Sequence, residues 1–253
     1  MNLLGFALAA LMGVSLGLLG GGGSTLTVPI LVYVLGIEAK AAIAMSLPIV
    51  GTTSLVGAAS HWRAGRVRLP TALWFGLIAM VGSFLSARLL APRVTGGFQL
   101  ALLAVVMLAA AISMFRSAQR AGNETEPRPM KLSLLVPVAL GVGAMTGLVG
   151  IGGGFLIVPA LVLLGGVPMK QAVGTSLVVI AMNTFSGYAG YAGHTSIDWA
   201  FVAGFTAVAI VGILSGARMV RHVSQGRLKQ AFAVFLLCVG GFILVETLGR
   251  LGA

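Results

Sequence analysis

The chain has 253 residues, of which 58% are hydrophobic and 8% are charged, and its mean hydropathy is +1.06. A water-soluble surface cannot be assembled from this composition, so we predict an integral membrane protein. The formal net charge of +11 does not indicate a nucleic-acid partner, because the Lys and Arg residues lie in short clusters between apolar runs. Positive loops held on the cytoplasmic side of a bilayer explain this charge. Cys238 is the single cysteine, so an intrachain disulfide is excluded.

Ten apolar runs follow one another along the chain, with one polar linker after the fifth. They cover residues 3–19, 24–37, 41–60, 70–91, 98–116, 132–150, 154–167, 171–192, 199–220 and 228–249. Most are near the roughly 20 residues that a spanning helix needs, whereas 24–37 and 154–167 have the length of half-helices or broken spans. We therefore divide the chain into a first transmembrane repeat (1–116), a polar linker (117–130) and a second transmembrane repeat (131–253).

A glycine-rich phrase occurs once in each half. It reads GLLGGGGSTLTVP at residues 17–29 and GLVGIGGGFLIVP at residues 147–159. The offset of 130 residues that aligns the two phrases also aligns, without a gap, Lys40 with Lys170, Phe75 with Phe205 and Arg88 with Arg218. Such a ladder indicates that a five-segment unit was duplicated. Because five is an odd number of spans, the fold class predicted is an all-α polytopic membrane protein with two inverted five-segment repeats and broken or short helices at the glycine-rich motifs.

The distribution of charge predicts the orientation. With the N-terminus outside, 12 of the 16 basic residues fall on the cytoplasmic side, as the positive-inside rule requires: Arg63, Arg66, Arg68, Arg116, Arg120, Arg128, Lys131, Lys170, Arg218, Arg221, Arg227 and Lys229. The outer segments hold Lys40, Arg88, Arg93 and Arg250. A topology with four spans in each half and re-entrant short runs separates the cluster at 218–229 from the linker. The ten-segment topology is therefore preferred.

The two glycine clusters predict an anion site. Irregular backbone at membrane depth is tolerated only where it is buried in protein or lines a cavity, and a matched pair of such breaks points to a transporter binding site. A helix start carries about half a positive charge and free N–H donors, so two starts that face one cavity near the midplane favour an anion. Ser24 and Thr25 are placed to cap the first half-helix or to donate hydroxyls to the ligand. The backbone contributors expected are Gly20, Gly21, Gly22, Gly23, Gly150, Gly152, Gly153 and Gly154.

A stripe of uncharged polar residues runs beside both half-helices. It comprises Ser46 and Thr53 in the first half and Ser176, Asn183 and Thr184 in the second. Ser and Thr also tie membrane helices together without touching a ligand, and packing is the commoner role. For Asn183 the two roles are equally supported, since an amide in hydrocarbon needs several partners.

Five charged or titratable residues are further candidates. Arg88 and Arg218 occupy aligned positions and could act as gate or vestibule charges, although an Arg that snorkels from a helix end is the commoner case. His61, His194 and Glu246 lie near helix ends, where they could relay protons or sit at the membrane interface. No nucleophile with a base, metal cluster or carboxylate pair indicates an enzyme, and no Lys follows the glycines as a phosphate-binding loop requires.

The halves resemble the TauE/SafE sulfite exporter family of membrane permeases. The resemblance rests on the two glycine-rich phrases that end in Val-Pro and on the segment Gly174-Thr-Ser-Leu177, which the first half replaces with Ala44-Met-Ser-Leu47. It implies transport of small sulfur-containing anions such as sulfite, thiosulfate or organosulfonates.

The function expected is secondary transport of such anions by alternating access around a midplane site. A passive anion channel and a non-transporting membrane partner of a metabolic complex are the alternatives. Expected partners are a small anionic substrate, the lipid bilayer and a coupling proton or sodium ion, with no metal, no other cofactor and no nucleic acid, and the oligomeric state is left open. The expected location is the bacterial inner (plasma) membrane.

Overall fold

The computed structural model describes residues 3–119, 132–149, 153–191 and 197–251, and these ranges contain helices and no strand. The predicted all-α fold is thus confirmed for the described residues. Most of the linker, together with the predicted positions Gly150, Gly152 and His194, lies outside them.

In the part of the chain that the structure describes, each half contributes five α-helices. In the first half they are α1 (Leu3–Leu19), α2 (Gly21–Pro29), α3 (Ala39–Arg63), α4 (Leu69–Leu85) and α5 (Gly96–Gln119). In the second half they are α6 (Leu132–Val149), α7 (Gly154–Pro159), α8 (Met169–Tyr191), α9 (Trp199–Met219) and α10 (Gln225–Leu251). Short π-helical or 3-10 turns extend α2, α4, α7 and α9 at Ile30–Val34, Ser86–Arg93, Ala160–Leu164 and Val220–His222.

Within the described residues, six helical segments are long and apolar enough to cross a membrane, namely Ala39–Arg63, Leu69–Arg93, Gly96–Arg116, Met169–Tyr191, Trp199–His222 and Gln225–Thr247. The shorter apolar helices are Leu4–Leu19, Gly21–Val34, Leu135–Val149 and Gly154–Leu164. The apolar window of α3 is 78% buried and that of α8 is 67% buried, against 33% for α10. The centre of the molecule is therefore α3 and α8, and the other long helices expose an apolar face to lipid.

The two half-helices end in the same way. Pro29 and Pro159 lack an N–H group and crowd the carbonyl four residues back, so a regular α-helix cannot continue unchanged through them. The chain then changes to π-helical turns, in which Leu35 N donates to Ile30 O (3.0 Å) and Gly165 N donates to Ala160 O (3.1 Å). Both segments stop at a glycine with left-handed φ, Gly36 at +69° and Gly166 at +58°.

The first helix of each half packs against the other half. A Cβ atom built at Gly13 or Gly17 of α1 would strike the carbonyl oxygen of Ala209 or Ile213 on α9. The aligned glycines of α6, Gly143 and Gly147, meet the carbonyl oxygens of Ala79 and Ser83 on α4 in the same way. Glycine permits this close approach of membrane helices. The contacts of one half thus recur, at the offset of 130, in the other.

One end of the molecule gathers most of the described basic residues. Arg66 Nη1 donates to Ala217 O (3.1 Å), and Arg68 Nε donates to Gln171 Oε1 (2.7 Å). Lys170 Nζ donates to Arg221 O (3.4 Å). These bonds join the α3–α4 turn, the start of α8 and the end of α9, which the charge pattern assigns to the cytoplasmic side.

Candidate functional site

The starts of α2 and α7 lie in direct contact. A Cβ atom at Gly21 would overlap the backbone of Gly154, and a Cβ atom at Gly154 would overlap Gly21 Cα. The residues that precede the two helices, Gly20 and Gly153, have φ of +68° and +62°, a conformation that L side chains rarely adopt. The two glycine clusters therefore meet, but no space for an anion separates Gly21 from Gly154 in this conformation.

The other predicted glycines have distinct neighbours. A Cβ atom at Gly20 would lie 2.7 Å from Ser176 Oγ, and one at Gly22 would lie 3.2 Å from Leu19 Cβ and 3.3 Å from Phe235 Cδ1. Gly23 packs on the backbone of Leu16, and Gly153 packs on Thr146 Oγ1. These contacts bury the glycines, and α2 begins at Gly21, three residues before the apolar run 24–37.

Ser24 and Thr25 do not cap α2, so the capping prediction is wrong. The residue at the N-cap position is Gly20, which has no side-chain cap. Ser24 Oγ donates to Gly21 O (2.8 Å), and Thr25 Oγ1 donates to Gly22 O (2.5 Å). Both hydroxyls thus satisfy carbonyls in the first turn of their own helix.

The predicted hydroxyl stripe is buried and bonds to its own helices. Ser46 Oγ donates to Ile43 O, Ser176 Oγ to Val173 O, Thr53 Oγ1 to Ile49 O and Thr184 Oγ1 to Ile180 O, at 2.7–2.8 Å. A hydroxyl has a single hydrogen to donate. In this conformation these four side chains therefore direct their hydrogen at the backbone, as the packing interpretation expects.

Asn183 differs from its neighbours. Its side chain is fully buried, and neither Oδ1 nor Nδ2 has a hydrogen-bond partner. Leaving a buried polar group without a partner costs about 1–3 kcal/mol, and Asn183 has two such groups. The cost is consistent with an amide reserved for a ligand.

The position of Asn183 follows from the residues one turn away on the same face of α8. Ile180 Cδ1 lies where a Cβ of Gly154 would be placed, at the start of α7. A Cβ atom at Gly187 would lie 3.8 Å from Gly147 Cα, near the end of α6. Since residues three and four apart share a helix face, Asn183 lies between these two contacts, on the face of α8 that carries the contacts with the end of α6 and the start of α7.

A second buried amide, near the end of α6, was not predicted. Gln99, at the start of α5, donates from Nε2 to Leu148 O (2.7 Å), while its Oε1 has no partner and the residue is 1% exposed. Tyr191 OH donates to the same carbonyl (3.3 Å). The signal in the sequence was a single amide in the apolar run 98–116, which is costly in a membrane helix.

His61 makes a contact with the end of α1 that resembles the contact of Tyr191 with the end of α6. Its Nε2 lies 3.1 Å from Gly17 O, so Nε2 carries the hydrogen and Nδ1, which has no partner, is left as an acceptor. The offset of 130 superposes His61 on Tyr191. The ring is fully buried within the protein, and the placement of His61 at the membrane interface stays a prediction.

Arg88 and Arg218 lie at opposite ends of the molecule, and both are exposed. Arg88 follows Ala87, which packs on Gly190 near the end of α8, while Arg218 follows Ala217, which is bound by Arg66 at the basic end. No described residue accepts a hydrogen bond from either guanidinium. Their assignment as vestibule charges stays a prediction.

Within the described ranges, no three His, Cys, Asp or Glu side chains converge as a metal site requires. The buried polar residues of these ranges are Ser, Thr, Asn, Gln and His, with no Lys, Arg, Asp or Glu among them. The interior is therefore polar at a few places without being charged.

Comparison with known proteins identifies the family. The sequence model described as "Sulfite exporter TauE/SafE" matches residues 5–243. The chain belongs to the TauE/SafE family. This membership confirms the resemblance inferred from the glycine-rich phrases.

Curated TauE/SafE relatives are named as transporters. A "Probable membrane transporter protein" of Xylella fastidiosa (strain 9a5c) is 31% identical, with 92% of this chain and 91% of the relative covered. "Probable membrane transporter protein YdhB" of Bacillus subtilis is 28% identical, covering 93% and 96%. A relative with the same description from Methanocaldococcus jannaschii is 26% identical, covering 93% and 92%. No solved structure matches the chain.

The family and the helices together assign the broad class. This TauE/SafE chain is a multi-pass integral membrane protein, and the names of its family and relatives indicate membrane transporters, not enzymes.

Proposed function

We propose that this chain is a secondary transporter of small anions, in particular sulfur-containing ones such as sulfite, thiosulfate or organosulfonates. The observation that carries the proposal is Asn183, a fully buried amide without partners that lies one helical turn along α8 from Ile180, whose side chain packs where the starts of α2 and α7 meet. Several buried side chains in the described residues have one unpartnered polar atom, but Asn183 has two, and a transient ligand would account for both.

Electrostatics favour an anion over a cation. The first turn of α2 carries a partial positive charge and N–H groups, and the described interior contains no carboxylate that would attract a cation. Neutral donors and helix starts can stabilise an anion without a buried cationic side chain.

We further propose that the two halves are inverted repeats that alternate access to the site. Helix α1 of the first half packs on α9 of the second half, and the aligned helix α6 of the second half packs on α4 of the first. This reciprocal packing supports a two-fold relation between the halves, and the odd number of segments in each half makes that relation an inverted one. Inverted repeats commonly rock against each other around a fixed midplane site. The glycine-lined contacts are the surfaces on which such motion would occur.

The test is uptake of labelled sulfite, thiosulfate and methanesulfonate by proteoliposomes of purified protein, with and without a pH gradient and with and without sodium. We expect saturable uptake of at least one anion that responds to one of the gradients. Saturable flux that ignores both gradients contradicts coupled transport and favours a channel. Absence of flux for all three anions contradicts the proposal and favours a non-transporting partner.

A further inference from the structure

The free amide of Asn183 also constrains which anions fit. We infer that, among the anions named above, the site selects singly charged ones that carry a hydrogen-bond donor of their own, such as hydrogensulfite or a hydroxyalkanesulfonate, over dianions such as thiosulfate and over anions without a donor. This inference rests on the proposed function, and it assigns to Asn183 the role of a specificity-determining residue.

The first argument concerns hydrogen bonding. Asn183 offers an Nδ2 donor and an Oδ1 acceptor, and both are free. The donor suits any anion oxygen. The acceptor repels an anion oxygen unless that oxygen, or a neighbouring group, carries a hydrogen. A ligand with one acceptor and one donor therefore satisfies both groups, while a fully deprotonated oxyanion leaves Oδ1 unpaired and costly.

The second argument concerns charge. The buried polar side chains in the described ranges include no Lys or Arg, and the two vestibule candidates, Arg88 and Arg218, are exposed. The cost of moving an ion out of water rises with the square of its charge, and a dianion needs a buried counter-charge to offset that cost. Neutral donors alone favour a monoanion.

The third argument concerns the neighbouring donors. Thr184 and Ser176 already donate their hydrogens to carbonyls of α8, and Thr53, aligned with Asn183, donates to α3. Asn183 is thus the residue of this α8 stripe that keeps both a donor and an acceptor free, so it is where the stripe can distinguish donor-bearing from donor-free anions.

The experiment compares three sulfonates of similar size whose charge does not change with pH in the working range. Isethionate (2-hydroxyethanesulfonate) is a monoanion with a donor, ethanesulfonate is a monoanion without one, and ethane-1,2-disulfonate is a dianion. Labelled uptake into proteoliposomes gives the apparent KM and maximal rate of each. We expect wild-type protein to have a kcat/KM for isethionate roughly tenfold above that for ethanesulfonate, the effect of one unpaired buried group. Uptake of the disulfonate should be lower still.

The matched variants are Asn183→Leu, which removes donor and acceptor at similar volume, and Ser113→Ala, which removes a hydroxyl bonded to its own helix on the exposed face of α5. Asn183→Leu should bring the isethionate to ethanesulfonate ratio close to one, while Ser113→Ala should keep the wild-type ratio. The melting temperature of each purified variant shows whether it is folded. Since replacing an unpaired amide removes a cost, Asn183→Leu should be at least as stable as wild type.

The outcomes separate this inference from the proposed function. Equal wild-type uptake of isethionate and ethanesulfonate, or efficient uptake of the disulfonate, overturns the inference and leaves anion transport standing. A wild-type ratio that persists in folded Asn183→Leu overturns the role of Asn183. Lack of uptake of every sulfonate, and of sulfite and thiosulfate, overturns the proposed function itself.

Discussion

Gly21 and Gly22 are neighbours in the chain with opposite surroundings. A Cβ atom at Gly21 would overlap the backbone of Gly154, which cannot yield, whereas one at Gly22 would meet only the side chains of Leu19 and Phe235 at 3.2–3.3 Å. The contact between α2 and α7 should therefore depend on the first glycine far more than on the second.

We expect Gly21→Ala to abolish anion uptake and to destabilise the protein by about 1–3 kcal/mol, the usual cost of overpacking. Gly22→Ala should retain most of the anion uptake and most of the stability of the wild-type protein. Uptake by proteoliposomes and the melting temperature of the purified variants measure the two effects. Equal behaviour of the two variants would contradict direct contact between the half-helix starts.

Arg88 and Arg218 allow a test of the proposed vestibule charges at the two ends of the molecule. If the two arginines attract the anion only through their electrostatic field, without touching it, Arg88→Gln or Arg218→Gln should raise the apparent KM severalfold at low ionic strength. The effect should be much smaller at high ionic strength, because salt screens exposed charges. Kinetics at two salt concentrations check this. Loss of binding at every salt concentration would show instead that the arginine contacts the substrate.

Single residues show where sequence reasoning succeeds and where it stops. The glycine-rich phrases located the meeting of α2 and α7, since glycine runs in apolar sequence are costly unless backbones approach closely. The bonds of Ser24 and Thr25 to carbonyls in their own first turn were not predicted, because the helix starts earlier than propensity indicates. Tertiary burial of Gly21 and Gly23 overrides the low helix propensity of glycine.

The packing of helices between the halves is the main feature that the sequence did not show. The apolar runs predicted ten segments, two of which are short. Nothing in them indicated that α1 packs on α9 or that Gln99 of α5 reaches Leu148 of α6. Contacts between distant segments depend on which glycines face which carbonyls. The repeat offset aligns equivalent positions of the two halves, but it does not show which helices are neighbours.

Gly141 and Gly143 on α6 test these helix contacts. A Cβ atom at Gly143 would strike Ala79 O on α4, while one at Gly141 would have nothing within 4 Å. We expect Gly143→Ala to lower the melting temperature by several degrees and Gly141→Ala to leave it unchanged or raise it, since alanine favours helix. Thermal unfolding in detergent measures both. A stable Gly143→Ala variant would contradict the close packing of α6 on α4.

The whole molecule is polarised in charge. The turn between α3 and α4, the start of α8 and the end of α9 are joined by hydrogen bonds at one end, and they carry Arg63, Arg66, Arg68, Lys170, Arg218 and Arg221. This grouping is what the positive-inside rule requires of a cytoplasmic face. The opposite end, where Gly96 packs on Ala39, has Lys40, Arg88 and Arg93 nearby.

Cysteine labelling tests the orientation of the halves. In a Cys238→Ser background, cysteines introduced at Ser117 and Gly252 should react with impermeant reagents from opposite faces, with Ser117 cytoplasmic. Intact and permeabilised cells report the accessible side. Labelling of both positions from the same side would contradict inverted repeats.

The most direct test of anion transport by alternating access is counterflow. Proteoliposomes loaded with unlabelled sulfite and diluted into a trace of labelled sulfite should accumulate label transiently above its equilibrium level, because each exchange cycle returns an occupied site. Gly21→Ala should lose this overshoot, and Gly22→Ala should keep it. A monotonic approach to equilibrium in wild-type protein, without any overshoot, would contradict a carrier that exposes one site to one side at a time.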